Sequence, residues 1–74
     1  MTMQVTSKMA RLGSRLVALG QRVRDLELRI ARVENRPHPD TLALRRMNRE
    51  KRRLADEIDC YEGLLRTLSR GLTP

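Results

Sequence analysis

Apolar residues in the first half of the chain fall at Val5, Met9, Leu12, Leu16, Leu19, Val23, Leu26, Ile30 and Val33. The steps alternate four and three without a break, the a/d signature of a coiled-coil seam. The second half repeats it at Leu44, Met47, Lys51, Leu54, Ile58, Tyr61, Leu65, Leu68 and Leu72, with Lys51 the one polar member. Between the two lies Arg36-Pro37-His38-Pro39-Asp40. Proline cannot continue a helix, and it pushes the residue before it toward extended geometry. The pattern therefore predicts an all-α, antiparallel two-helix hairpin. Helix one spans about 5–35, the turn 36–40 and helix two about 41–70, all in a single domain covering residues 1–74.

The pairing register follows from the seam. If Val33 meets Leu44, then Ile30 meets Met47, Val23 meets Leu54, Leu19 meets Ile58, Leu16 meets Tyr61 and Leu12 meets Leu65. The pattern stays in phase through nine layers, out to Val5 with Leu72, and places the bend at His38. Charges beside the seam test it independently. Every g position of helix one is basic: Lys8, Arg15, Arg22, Arg29 and Arg36. In an antiparallel pair g faces g, so the expected ion pairs are Arg29 with Glu50 and Arg22 with Glu57, each worth about 0.2–1 kcal/mol when exposed. Lys51 sits opposite Leu26, with Glu27 and Asn48 within reach of its ammonium. One polar residue in a seam commonly fixes register or oligomer state.

The helix ends have candidate signals. Ser7, with Thr6 and Thr2 as competitors, is a candidate N-cap for helix one, which leaves Met1 to Gln4 frayed. Asp40 is the N-cap expected for helix two, with Thr41 opening it. Gly71 is the expected stop, ahead of a short Thr73-Pro74 tail.

Gly13 and Gly20, seven residues apart at e positions with Ala55 facing Gly20, are poor helix formers. They fit either the close approach of another helix or simple tolerance in a weak first half. Leu28, Leu42 and Val17 fall off the seam, as scattered exposed apolar residues often do. Leu64 is different. Beside Leu65 and Leu68, it widens the apolar face of helix two beyond what one partner helix covers. This points to pairing of two hairpins into a four-helix assembly, or to docking on a larger protein.

Composition narrows the function classes. The 74 residues include one aromatic, Tyr61, and neither Trp nor Phe, so large anchors for a small-molecule pocket are missing. No apolar run approaches the length of a membrane span, and the first thirteen residues lack the h-region of a secretory signal. The one cysteine, Cys60, has no partner for an internal disulfide, which fits a reducing, cytoplasmic setting. His38 lies in the turn with no second ligand at metal spacing. No phosphate loop, carboxylate pair or activated nucleophile accompanies these residues. The chain is expected to be no enzyme and to hold no cofactor or metal.

The net charge is +7, from 16 basic and 9 acidic side chains. Such a balance favours acidic partners. The densest basic stretch supplies Arg45, Arg46, Arg49, Arg52 and Arg53, of which Arg45, Arg49, Arg52 and Arg53 share much of one outward surface that could track phosphates. The bland alternative is a solvated coiled-coil face whose arginine stems cover apolar surface. No aromatic is available for base stacking, and no DNA-binding motif is present.

The turn Arg36-Pro37-His38-Pro39-Asp40-Thr41-Leu42, followed by the helix that carries Arg49-Glu50-Lys51 and Leu54-Ala55-Asp56-Glu57-Ile58, resembles the YdcH-like family of small bacterial proteins. Its members share a helix, a proline-bearing turn and a basic LK-x-EK-x-x-LKDEI stretch. Residues 47–58 occupy that stretch here, and the resemblance covers about 16–62. Asn48 and Ala55 stand where the family usually has lysines, which makes the basic face less regular. The resemblance implies a helical hairpin in a bacterial cytoplasm. The family's function is not known, so no activity is carried over.

Two functional expectations result. The first is a small structural or adaptor protein that self-associates or docks on a larger protein through Leu12, Leu16, Leu19, Leu54, Ile58, Tyr61, Leu64, Leu65 and Leu68. The alternative is nucleic-acid binding through the arginines of helix two.

Overall fold

The computed structural model of the protein describes the backbone of residues 2–72 and the side chains of residues 6–71. It is a hairpin of two long helices, α1 over Thr2–Glu34 and α2 over Thr41–Leu72. Its extents are 57 × 14 × 14 Å, a rod two helices thick. A helix of 33 residues at a rise of about 1.5 Å each accounts for about 50 Å of that length.

The heptad pattern organises the packing. Every described seam residue, from Met9 to Val33 and from Leu44 to Leu68, is buried or half-buried. Leu19 and Leu54 are each only 1% exposed and lie in adjacent layers near the middle of the rod; Ile30, toward the turn, is the third buried side chain. The outermost expected layer, Val5 with Leu72, lies outside the described side chains.

The loop ends α1 and starts α2 by distinct means. The amide of Asn35 donates to the carbonyl of Ala31, and that of Arg36 to Val33, so the last turn of α1 tightens before Pro37. Asp40 then caps α2. Its carboxylate accepts from the Ala43 amide at 3.0 Å, and its carbonyl accepts from the Leu44 amide, the first bond of the new helix.

Both outer ends run further than the cap signals suggest. α1 begins at Thr2, so Ser7 lies inside the helix and caps nothing, and residues 2–4 are helical. No proline or glycine interrupts residues 2–12, so the backbone ladder simply propagates through them. At the other end Gly71 does not act as a stop. No described glycine has a positive φ, which a left-handed C-terminal cap requires, and α2 continues to Leu72. The expected tail, Thr73-Pro74, lies outside the described residues, as does Met1.

Candidate functional site

Along the two described helices every surface is some heptad position, and the hairpin has two flanks. Positions g and c of both helices form one; positions e and b form the other. The structure separates them. One groove is lined by Arg22, Asp25, Leu26, Arg29 and Glu50, joining the g positions of the two helices. Another, on the opposite flank, is lined by Asn48, Lys51, Arg52 and Ala55.

The ion pairs follow the register but not the expected partners. Glu50 receives Arg22 at 3.4 Å and Arg53 at 3.8 Å, rather than Arg29. Glu57, assigned to Arg22 by the g-to-g rule, makes no ion pair among the described residues. The g positions recur every seven residues, so Glu50 lies at a level between Arg22 and Arg29. An extended arginine spans one helical turn, about 5.4 Å, and can reach it from either side. These contacts are exposed enough to be worth little.

Lys51 behaves as the seam position predicts in one respect and departs in another. Its ammonium lies 4.0 Å from Glu27, across the hairpin. Asn48 does not share it, because the Asn48 amide donates to the Leu44 carbonyl one turn back at 3.0 Å. Lys51 thus keeps its stem in the seam and lifts its charge to the edge, where its side chain is 42% exposed.

The apolar residues named for association divide sharply. Leu19 and Leu54 are consumed by the intrachain seam. Leu12, Leu16, Ile58, Tyr61, Leu65 and Leu68 are half-buried, with one side toward the partner helix and part of each exposed. Leu64 is 49% exposed, and Val17, Leu28 and Leu42 are more so. Leu64 also forms part of a groove of about 410 Å³, lined by Lys8, Arg11, Leu12, Leu64, Thr67 and Leu68. Sequence reasoning found Leu12, Leu64 and Leu68 but passed over Lys8 and Arg11. Their place at g and c, on the flank that carries Leu64, was the available signal.

The helix-two arginines hold adjacent outer positions of one helix. All five are exposed: Arg45 and Arg52 hold b positions on one flank, Arg46 and Arg53 hold c positions on the other, and Arg49 points along the outer face between them. Arg53 is also within reach of Glu50. The cluster spans about 100° of the outer face of α2, from b through f to c.

Gly13 and Gly20 are half-buried, yet a Cβ built at either would meet nothing within 4 Å. Packing within the hairpin therefore does not require them, and Ala55 does not press on Gly20. Cys60 is an exposed free thiol. Among the described residues no cluster of His, Cys, Asp or Glu could hold a metal ion, and no helix is long and apolar enough to cross a membrane.

No family model, no curated protein and no solved structure matches this chain.

Proposed function

We propose that this hairpin is a small non-enzymatic adaptor or structural subunit, acting by coiled-coil self-association or by docking on a larger protein. One observation carries the reading: only three described hydrophobic side chains are buried, while Leu64, Leu28, Leu42 and Val17 remain about half exposed or more. A two-helix rod has too little interior to cover its own apolar residues, and a second surface completes what it begins. The half-buried Leu12, Leu16, Ile58, Tyr61, Leu65 and Leu68 are the residues such a surface would finish covering. A cytoplasmic setting in a bacterium, and kinship with the YdcH-like hairpins, belong to the same proposal. They rest on the single cysteine and on the residues of the turn and the following basic stretch.

Nucleic-acid binding through Arg45, Arg46, Arg49, Arg52 and Arg53 is the weaker reading, because no aromatic side chain accompanies them for base stacking and Arg53 lies within reach of Glu50. The deciding experiment is light-scattering mass on the purified protein over a concentration series. A dimer or tetramer, or a monomer that gains helix on addition of a protein partner, supports the proposal. A fully helical monomer whose binding to duplex DNA falls steeply with salt would replace it.

A further inference from the structure

The net charge is not spread evenly round the rod. On the g/c flank, α1 carries Lys8, Arg11, Arg15, Arg22, Arg29 and Arg32 against one acid, Asp25. On the same flank α2 adds Arg46 and Arg53 beside Glu50 and Glu57. The opposite e/b flank is close to balance: Arg24, Arg45, Arg52, Arg66 and the Lys51 ammonium against Glu27, Glu34, Asp59 and Glu62. The excess positive charge thus forms a ridge along one side of α1. From Lys8 to Arg29 its g positions run about 32 Å, at about 1.5 Å per residue.

The ridge differs from end to end. In its middle, Arg22 is held by Glu50. At the open end, Lys8, Arg11 and Arg15 are exposed and have no ion-pair partner among the described residues. There the apolar groove lies, walled by Leu12, Leu64 and Leu68 and rimmed by Lys8, Arg11 and Thr67. An unfilled aliphatic slot and three unpaired cations occupy the same two turns of the same flank.

From this juxtaposition we infer that the open end of the g/c flank docks an acidic amphipathic helix of another protein, which lies along the hairpin as a third helix. One apolar side chain of the incoming helix enters the slot between Leu12 and the Leu64–Leu68 pair. Carboxylates a turn away on either side meet Lys8, Arg11 and Arg15. The two halves of the site select this ligand. A nucleic-acid backbone would use the cations and leave the slot empty. An anionic membrane would call for several apolar side chains on the flank, whereas Val17 and the outward-facing Leu28 and Leu42 lie elsewhere. This inference rests on the docking reading above and specifies the partner.

The test uses the full chain and a labelled synthetic helix about three heptads long, with leucine along one stripe and glutamate beside it. The same peptide with lysine for glutamate, a duplex DNA and phosphatidylglycerol vesicles serve as separate arms. Fluorescence anisotropy, or sedimentation for vesicles, gives affinities for the wild type, for Leu64→Gln, for the pair Arg11→Gln/Arg15→Gln, and for Arg45→Gln/Arg52→Gln. The last pair removes equal charge from the other flank. All these side chains are exposed, and circular dichroism checks that each variant keeps its helix. The expected result is binding of the glutamate peptide that Leu64→Gln and the Arg11/Arg15 pair each weaken about tenfold or more, with the Arg45/Arg52 pair near wild type. Equal loss from both arginine pairs would reduce the site to general charge attraction and overturn the inference, leaving docking elsewhere intact. If Leu64→Gln instead dissolves a homodimer, a second copy fills the slot, which sinks the acidic-helix inference and keeps the adaptor reading. Tighter binding to DNA or vesicles than to the peptide would overturn both.

Discussion

At the scale of single residues, three positions carry distinct physical loads. Asp40 ends the loop and opens α2 with one carboxylate bond, the 3.0 Å contact to the Ala43 amide. Asp40→Ala is expected to lower stability by about 0.5–2 kcal/mol, read from the denaturant midpoint. Asp40→Asn or Asp40→Ser should restore most of it, because either oxygen can accept the same bond. Leu54, 1% exposed near the centre of the seam, is with the equally buried Leu19 a position where truncation costs most. Leu54→Ala is expected to cost about 2–5 kcal/mol, and in so thin a rod that would unfold much of the population, seen as lost helical ellipticity. Lys51 points the other way. Its charge escapes to the edge near Glu27, so the seam holds a flexible aliphatic stem that packs less well than leucine and makes no strong ion pair. Lys51→Leu should raise the thermal midpoint while broadening the mass distribution in solution, since a polar seam residue is a common means of fixing one register. A midpoint that falls instead would show that the Glu27 contact outweighs the apolar gain.

At the scale of elements, the seam was legible almost to the residue and the helix termini were not. A period of three and four reports burial, and every described position it named is at least half-buried. The stop at Pro37 and the cap at Asp40 were equally plain, because each rests on a local steric or hydrogen-bonding rule that one residue type satisfies. Ser7 and Gly71 misled for the converse reason. A serine can cap, and a glycine can take positive φ, but neither must when the flanking residues continue a helix. Ion-pair partners were the least legible, as Arg22 with Glu50 illustrates: the long side chain reaches past the level its backbone position sets. The candidate groove was half visible, its leucines read from the widened face and its basic rim hidden in a row used only to fix register. Gly13 and Gly20 raise a test on α1 itself. A methyl group at either would meet nothing within 4 Å, so Gly13→Ala and Gly20→Ala should each stabilise the hairpin by up to about 1 kcal/mol through helix propensity. If the thermal midpoint rises at low concentration but the assembled form weakens, another helix approaches those glycines closely. A rise in both would mark them as tolerated residues.

At the scale of the whole molecule, the opposing forces are the uncovered apolar surface and the net charge of +7. Two copies of this chain repel each other, and the repulsion is strongest where their g/c ridges approach. Salt screens that repulsion over about 10 Å at 0.1 M and leaves apolar burial largely untouched. Self-association through the leucine faces should therefore strengthen as salt rises from low to physiological concentration. The unfolding midpoint at fixed salt should rise with protein concentration, because assembly stabilises the folded form by mass action. Docking of an acidic helix on the basic ridge has the opposite sign: the same screening removes attraction, and affinity falls. Measuring the midpoint over a grid of protein and salt concentrations separates the two. A midpoint that climbs with both marks the second copy as the surface that completes the rod. A midpoint indifferent to protein concentration rules out the second copy and leaves a different chain to cover the exposed leucines, the case in which the acidic helix is tested directly.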